Sequence, residues 1–559
     1  MTQIVDAWWN PASEPPGGFP PLPFDQYVPR AVRRGGMGIV YMCDTALKTH
    51  ARLAVKVLNP TEAFASAQRS EFLRECHLWI TLGEHRNVVA ARTAHDWPGE
   101  SPIVAVEFVR DSLRDVLNER PLSFGPAVLL WWDLTQGIRH ARTRIPEFVH
   151  GDLKPENVMM TPEGVAKITD FGLAHSAWTG DVNVGTEDGS GVGTQQAAGT
   201  PLYMPPEQAA GHAQQASDVY AIACVVHESL TGKPVFGGAR NAREAIRQHR
   251  LLPAPDLRAS LPDVPKDFAS LLRSCLAKRT DLRPSLDEIE AAITKIASDE
   301  AIALPESDEV TPVSPSSLIP VMHGLMNLRF FQDALRILGE LETLTLTGDD
   351  QFEVQLHKAR ASREIGELGA CAAALAQAEL HVAGTNARIF RALLNVEKAS
   401  FLAETSDFDE AVELLREADA LHPMSVARMN MGTFLDRAGD LPGSIAALMS
   451  ATELSDNLAV HHRIVLLLCV EQRSVEAVSW ADRVVEAHRG NGTAHVARAY
   501  ATLMYLGQYP EGPTGDLFDA AVKDATIARR ADPSLPLLPI VETLLSSMSG
   551  GPVQTGEEG

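Results

Sequence analysis

The chain has 559 residues, too many for one hydrophobic core, and its 45% apolar and 22% charged composition is that of ordinary globular protein. A net charge of -23 argues against a nucleic-acid partner held through phosphate contacts, because such surfaces are basic. No apolar run approaches the ~18 residues of a membrane-spanning helix, and the start of the chain lacks a basic-then-apolar signal pattern. The six cysteines (Cys43, Cys76, Cys224, Cys275, Cys371 and Cys469) show no C-x-x-C or metal-ligand spacing. The expectation is a cytoplasmic chain without a membrane span, its thiols reduced and buried.

Residues 1–24 carry six prolines and the Trp8-Trp9 pair, which excludes regular helix and central strand and predicts a disordered leader, with a docking arm for a partner as the alternative. From Tyr27 the pattern becomes strand-like. Val28 to Arg34 leads into Gly35-Gly36-Met37-Gly38-Ile39-Val40, and Arg52 to Leu58 then alternates around Lys56. A glycine turn between two strands lets backbone N–H groups approach phosphates with no Cβ in the way. Lys56 inside an apolar strand needs a partner charge if it points inward. The helix predicted over Arg69 to Leu82 supplies one: Phe72, Cys76 and Trp79 share a face, and Glu75 falls within that apolar arc, with Glu71 one turn earlier in reserve. Pro102 to Val109 reads as a buried strand ending in a linker, and Leu113 to Leu117 and Ala127 to Ala141 read as helices.

The next stretch is Val149-His150-Gly151-Asp152-Leu153-Lys154-Pro155-Glu156-Asn157, followed after a turn by Lys167-Ile168-Thr169-Asp170-Phe171-Gly172. It sets two carboxylates, an amide and a lysine on neighbouring loops, as a site handling magnesium and a phosphoryl group requires. Thr179 to Thr194 is rich in Gly, Ser, Thr and Asp and has little to bury. Gly199-Thr200-Pro201-Leu202-Tyr203-Met204-Pro205-Pro206-Glu207 follows, then an apolar helix opened by Ser217-Asp218, then Arg283-Pro284-Ser285.

In this order and spacing the motifs resemble those of protein kinases, in the style of bacterial Hanks-type Ser/Thr kinases, over roughly residues 25–297. Ala54-Val55-Lys56 is similar to the V-A-I-K strand, His150 to Asn157 to the catalytic loop H-R-D-x-x-x-x-N, and Asp170-Phe171-Gly172 to D-F-G. Three letters depart: Arg33 stands at the first glycine of G-x-G-x-x-G, Gly151 at the loop arginine, and Pro205 at the alanine of A-P-E. The resemblance implies that Lys56, held by Glu75, pairs with the α- and β-phosphates of ATP, and that Asn157 and Asp170 hold two Mg2+ ions. It implies further that Asp152 accepts the substrate hydroxyl proton, that Lys154 neutralises the γ-phosphate and marks a Ser/Thr preference, and that Thr200 braces this loop. The nucleotide-binding set becomes Arg33, Gly35, Gly36, Met37, Gly38, Val40, Ala54, Lys56, Asn157 and Asp170, with the hinge residues Val106 (the gatekeeper), Glu107 and Val109 at the adenine. Arg283 is expected to pair with Glu207. The family's loop arginine meets a phosphorylated residue of the activation segment. With Gly151 in its place, phosphorylation of Thr186, Ser190 or Thr194 cannot order the segment through that contact.

Residues 299–320 have the Asp, Glu, Ser and Pro content of a linker. Beyond them alanine becomes abundant and a period appears: Ala411, Ser444 and Ala477 are spaced 33 apart, as are Asp407 and Asp440, Ala418 and Ala451, and Leu421 and Leu454. Weaker copies occur at Phe331 to Leu341, Gly366 to Ala378, Ser474 to Ala487 and around Gly507. These fragments resemble tetratricopeptide repeats, although Leu441 replaces an aromatic and most copies lack the closing proline. A generic array of helical hairpins is the alternative.

The expected architecture is thus an α+β two-lobed protein kinase fold followed by an all-α tetratricopeptide-like solenoid. Its parts are a leader (1–24), a kinase domain (25–298), a linker (299–320), a repeat domain (321–545) and a disordered tail (546–559). The expected activity is ATP-dependent phosphorylation of protein Ser/Thr hydroxyls, with the repeats binding a peptide or protein partner, either substrate or regulator. Two other readings compete. A pseudokinase scaffold commonly loses one of Lys56, Glu75, Asp152, Asn157 or Asp170, and all five are present. A small-molecule phosphotransferase has no use for Gly199 to Glu207 with Arg283.

Overall fold

The computed structural model describes residues 27–34, 38–45, 52–58, 66–96, 102–171, 200–306, 314–382, 386–488, 491–509, 514–531 and 535–549. The expectations for the leader, for Gly35 to Met37 and for Gly172 to Gly199 fall outside these residues, as does the tail expected over 546–559 except for residues 546–549, which close a helix instead. The chain divides into two compact units, with the division after Arg329.

The first unit opens with β1 (Tyr27–Arg34), β2 (Gly38–Thr45) and β3 (Arg52–Leu58), then α1 (Ser66–Leu82), β4 (Ala91–His95) and β5 (Ile103–Glu107). The strands form one antiparallel sheet in the order β1-β2-β3-β5-β4. Alternation along β3 sends Val55 and Val57 into a core with Tyr27, Val32, Ile39, Tyr41, Ile103 and Ala105, and puts Ala54 and Lys56 on the opposite face. A second lobe follows: β6 (Asp111–Ser112), α2 (Leu113–Glu119), α3 (Phe124–Arg144), β7 (Val158–Met160), β8 (Ala166–Ile168), α4 (Gln215–Thr231), α5 (Ala242–Leu251), α6 (Leu257–Ser260), α7 (Lys266–Cys275) and α8 (Leu286–Asp299). The strands β6-β7-β8 make a small second sheet that carries the loops of the site. Every residue of α4 from Ser217 to Leu230 is buried, so this helix is the axis of the lobe, and it stops at Gly232 in the left-handed conformation (φ 68°). The structure has the two lobes the motifs imply, and all six cysteines are free and buried.

One further helix, α9 (Pro315–Asn327), belongs to this first unit. The sequence expectation split it between a linker ending at 320 and a repeat domain beginning at 321. Its prolines misdirect: Pro315 sits in the first turn, where its missing N–H costs nothing, and Pro320, inside the helix, forfeits only its own bond to the Ser316 carbonyl without ending the helix.

The second unit is a run of helices: α10 (Phe331–Leu341), α11 (Gly348–Glu364), α12 (Leu368–Leu380), α13 (Ala387–Glu404), α14 (Phe408–Leu421), α15 (Ser425–Ala438), α16 (Leu441–Thr452), α17 (Leu458–Val470), α18 (Ser474–Ala487), α19 (Gly492–Gln508), α20 (Thr514–Ala531) and α21 (Leu538–Ser549). Each packs on its neighbours in chain order, as in a helical solenoid. Ala411, Ser444 and Ala477, the residues that carry the period, are fully buried. Their small size lets paired helices approach: Ser444 Oγ donates to the Gly432 carbonyl at 2.7 Å. No helix among the described residues is long and apolar enough to cross a membrane.

Candidate active site

The sheet register brings the residues singled out on the strands to one face. Lys56 lies directly opposite Val40 on β2, and Ala54 opposite Val106 on β5. Partners across a ladder share a face, so Val40, Ala54, Lys56 and Val106 line the same side of the sheet. Gly38, two residues before Val40, falls on that side too. Glu107 closes β5. Its N–H donates to the Ala90 carbonyl, and its Oε1 accepts from the Ala90 N–H (3.0 Å) and from Lys167 Nζ (2.7 Å). Val109 is half-buried just beyond the strand end. Arg33 lies in β1, and Gly35 to Met37 are not among the described residues.

Lys56 Nζ meets Glu75 Oε1 at 2.6 Å and Asp170 Oδ1 at 3.2 Å. The apolar face of α1 carries Glu75 in with Phe72, Cys76 and Trp79, and all four are buried. Glu75, not Glu71, is therefore the partner. Burial raises the Glu75 carboxyl, and the ammonium beside it offsets only part of the rise. Burial works against the charge on Lys56, but the two carboxylates outweigh it and raise the ammonium above its ordinary range, so the lysine stays charged. The Lys56 ammonium likewise lowers Asp170 to about 2, so this carboxylate is ionised although buried groups surround it. Asp170 also holds a left-handed backbone (φ 63°), an uncommon conformation for a non-glycine residue and one that clusters at functional sites.

The catalytic-loop residues converge on Asp152. Its Oδ2 accepts from Lys154 Nζ at 2.6 Å and from Asn157 Nδ2 at 3.0 Å, and Asn157 Nδ2 also donates to the Asp152 carbonyl at 2.9 Å. With its amide nitrogen so engaged, the buried Asn157 keeps its side-chain oxygen as an acceptor. Burial raises the Asp152 carboxyl, and Lys154 is the strongest influence lowering it. Asn157 Oδ1 and the Asp170 carboxylate are hard oxygen donors of the kind a divalent cation such as Mg2+ takes.

Behind these loops a column of rings ties α1 to the second lobe. Trp79 donates Nε1–H to the Val89 carbonyl and packs edge-on against Phe171 at 5.4 Å, and Phe171 packs against His150 at 5.3 Å. The N–H groups of His150 and Gly151 donate to the buried Asp218 carboxylate, which also pairs with Arg142 at 3.1 Å. Gly151, one of the three departing letters, has φ 74°, where a Cβ is strained. Its carbonyl accepts from Gln208 Nε2 at 2.5 Å. Below the site Arg283 grips Glu207 in a bidentate pair (2.6 and 2.8 Å), as expected from the sequence. Thr200 opens a short 3-10 turn ahead of Tyr203.

Three contributors escaped the sequence reading. Arg114 of α2 bonds Glu156 (2.8 Å), Glu228 (2.8 Å) and the Tyr203 hydroxyl (2.5 Å), and Tyr203 donates to Glu228 at 2.5 Å. Gln208 and the Lys167–Glu107 pair are the others. These partners lie far apart along the chain, and no local spacing signals them.

Residues 28–292, just under half of the chain, match the family model described as the protein kinase domain. Among curated proteins, the chain is 30% identical over 280 residues to the serine/threonine-protein kinase PknB of Mycolicibacterium smegmatis, covering 49% of this chain and 43% of that one. It is 30% identical over 299 residues to the kinase of the same name in Mycobacterium tuberculosis (52% and 45%) and 27% identical over 307 residues to a probable PknB of Lactococcus lactis (53% and 46%). The chain thus spans less than half the length of these relatives, and the second unit lies outside the family match.

Proposed function

We propose that the chain is an ATP-dependent Ser/Thr protein kinase of the bacterial Hanks type, whose first unit transfers the γ-phosphoryl group to protein hydroxyls. The observation that carries this reading is the triad Lys56–Glu75–Asp170, at 2.6 and 3.2 Å, facing a loop in which Lys154 and Asn157 orient Asp152. In this reading Lys56 draws the α- and β-phosphates under the sheet face formed by Val40, Ala54 and Val106, and the adenine edge bonds the backbone at Glu107 and Val109. The oxygen of Asp152 not taken by Lys154 and Asn157 accepts the proton of the incoming hydroxyl and holds its oxygen in line. Lys154, held at that carboxylate, would neutralise the γ-phosphate. Mg2+ at Asn157 and Asp170 supplies, when bound, charge that offsets what develops on the transferred group.

The cytoplasm, where ATP is abundant and thiols stay reduced, is the proposed location. The helical array of the second unit, tetratricopeptide-like in its 33-residue period, is proposed to bind a peptide or protein partner, as solenoids do along their surfaces.

The test is phosphate incorporation from labelled ATP and magnesium into a dephosphorylated casein by the full chain. Asp152→Asn and Asp170→Asn should each cut the rate about 100-fold or more. Equal incorporation by the wild type and both variants overturns the kinase reading.

A further inference from the structure

Helix α9 lies beyond the kinase family match, which ends at residue 292, yet it is built into the first unit against the helix that carries Glu75. A Cβ placed on Gly324 of α9 would come within 2.6 Å of Ile80 Cγ2 and 2.8 Å of Ile80 Cδ1, so the two helices meet there backbone to side chain. Val321, one turn earlier, stands 3.6 Å from where a Cβ on Gly83 would lie, just past the end of α1. At its C-terminal end the Asn327 carbonyl accepts the N–H of Asp96, the residue following β4. The Asp96 carboxylate is in turn the partner of Arg69, in the first turns of α1. The helix thus touches the C-terminal end of α1 directly and reaches its N-terminal end through Asp96.

The apolar side of α9 is fully committed: Leu318, Val321, Met322 and Leu325 are all buried. Ile80 follows Trp79, the first ring of the Trp79–Phe171–His150 column, and lies five residues beyond Glu75. A shift of α1 at Ile80 therefore moves both the Glu75 carboxylate at Lys56 and the ring that backs Phe171. Packed interiors transmit such shifts rather than absorbing them.

We infer that Gly324 of α9 is a positioning residue for phosphoryl transfer: by admitting Ile80 it lets α9 clamp α1 against β4 and holds Glu75 on Lys56. The inference rests on the kinase reading and adds to it an in-chain element, outside the family's own boundaries, on which the site depends. Withdrawal of α9, by whatever binds or pulls the chain beyond it, would release Glu75.

The experiment compares kcat and KM for ATP in the full chain, with casein as substrate. Gly324→Leu, which fills the space Ile80 occupies, should lower kcat by about 10- to 100-fold. The swap Ile80→Ala with Gly324→Leu restores room at the contact and should recover most of that loss. A Glu75→Gln chain should lose little more when Gly324→Leu is added, because both act on the same ion pair and residues acting as a unit are not additive. A general loss of folding would add to the Glu75 defect in full. A wild type no more active than Asp152→Asn overturns the kinase reading and this inference with it. An active wild type whose Gly324→Leu variant keeps its kcat, is not rescued by the swap, or loses activity additively with Glu75→Gln overturns the inference alone.

Discussion

Lys154 and Asp152 form a tight charged pair, at 2.6 Å, in the proposed catalytic loop, and the pair bears on the ionisation of the proposed base. Burial raises the Asp152 carboxyl above its ordinary value, and Lys154 opposes the rise. Removing the ammonium takes away the strongest opposition to burial, so Asp152 in Lys154→Ala takes up its proton at a higher pH than in the wild type. A base works only when ionised. The acid limb of kcat/KM for this variant should therefore move to higher pH, with kcat lowered across the profile. A limb at the wild-type position would show that Asp152 is not the group titrating. At this scale the sequence was most legible where a buried charge demanded a partner. Lys56 on an apolar strand and Glu75 in an apolar arc point to one another because each is costly alone. Arg283 and Glu207 came from motif resemblance, and the structure forms the pair. Arg114, whose three partners come from three distant stretches, was illegible because nothing local distinguishes it from a solvated helix arginine.

Elements were legible wherever one period ran unbroken. Strand β3 spans Arg52–Leu58, as alternation around Lys56 predicts, and α1 extends the helix expected from Arg69 by one turn at its start. Proline content reads as linker in sequence, whereas in α9 Pro315 takes the first turn and the buried face of Leu318, Val321, Met322 and Leu325 carries the helix through Pro320. Close approaches between elements were equally hidden. Gly137 in α3 is one of them: a Cβ there would lie 2.8 Å from the Asn87 carbonyl oxygen and 2.8 Å from Ile168 Cδ1. The same carbonyl accepts the Ile168 N–H, which seats β8 and the Asp170 loop after it. Alanine favours a helix over glycine by about 1 kcal/mol, so propensity alone would make Gly137→Ala stabilising. The backbone oxygen cannot swing aside, and overpacking of this kind costs about 1–3 kcal/mol. The variant should be less stable than the wild type in urea, with the midpoint lowered and the slope unchanged. A raised midpoint would mean that β8 moves away freely.

For the whole molecule, the division after Arg329 leaves each unit with its own apolar core. The 33-residue period was legible because three consecutive hairpins keep it: helices α14, α16 and α18 begin at Phe408, Leu441 and Ser474. It fades on either side because loop and helix lengths change, with the corresponding starts at Leu368 before and Thr514 after. The helical cores overlap in series. One cluster runs through α16, α17, α18 and α19, and the next takes up α19 again with α20 and α21, so stability is transmitted from neighbour to neighbour. Chains with separate cores do not melt as one two-state system, and calorimetry of the full chain should resolve more than one transition. Gly432 of α15 assigns them. A Cβ there would meet Leu448 Cγ at 2.6 Å and the Ser444 carbonyl oxygen at 3.2 Å, within the α15–α16 contact. Gly432→Val should lower the transition of the helical array by several degrees, consistent with about 1–3 kcal/mol of overpacking. The transition of the first unit, located separately as the one that Gly137→Ala lowers, should keep its midpoint. A single transition that both variants lower together would mean that the two units unfold as one, and that the helical array stabilises the proposed catalytic unit directly.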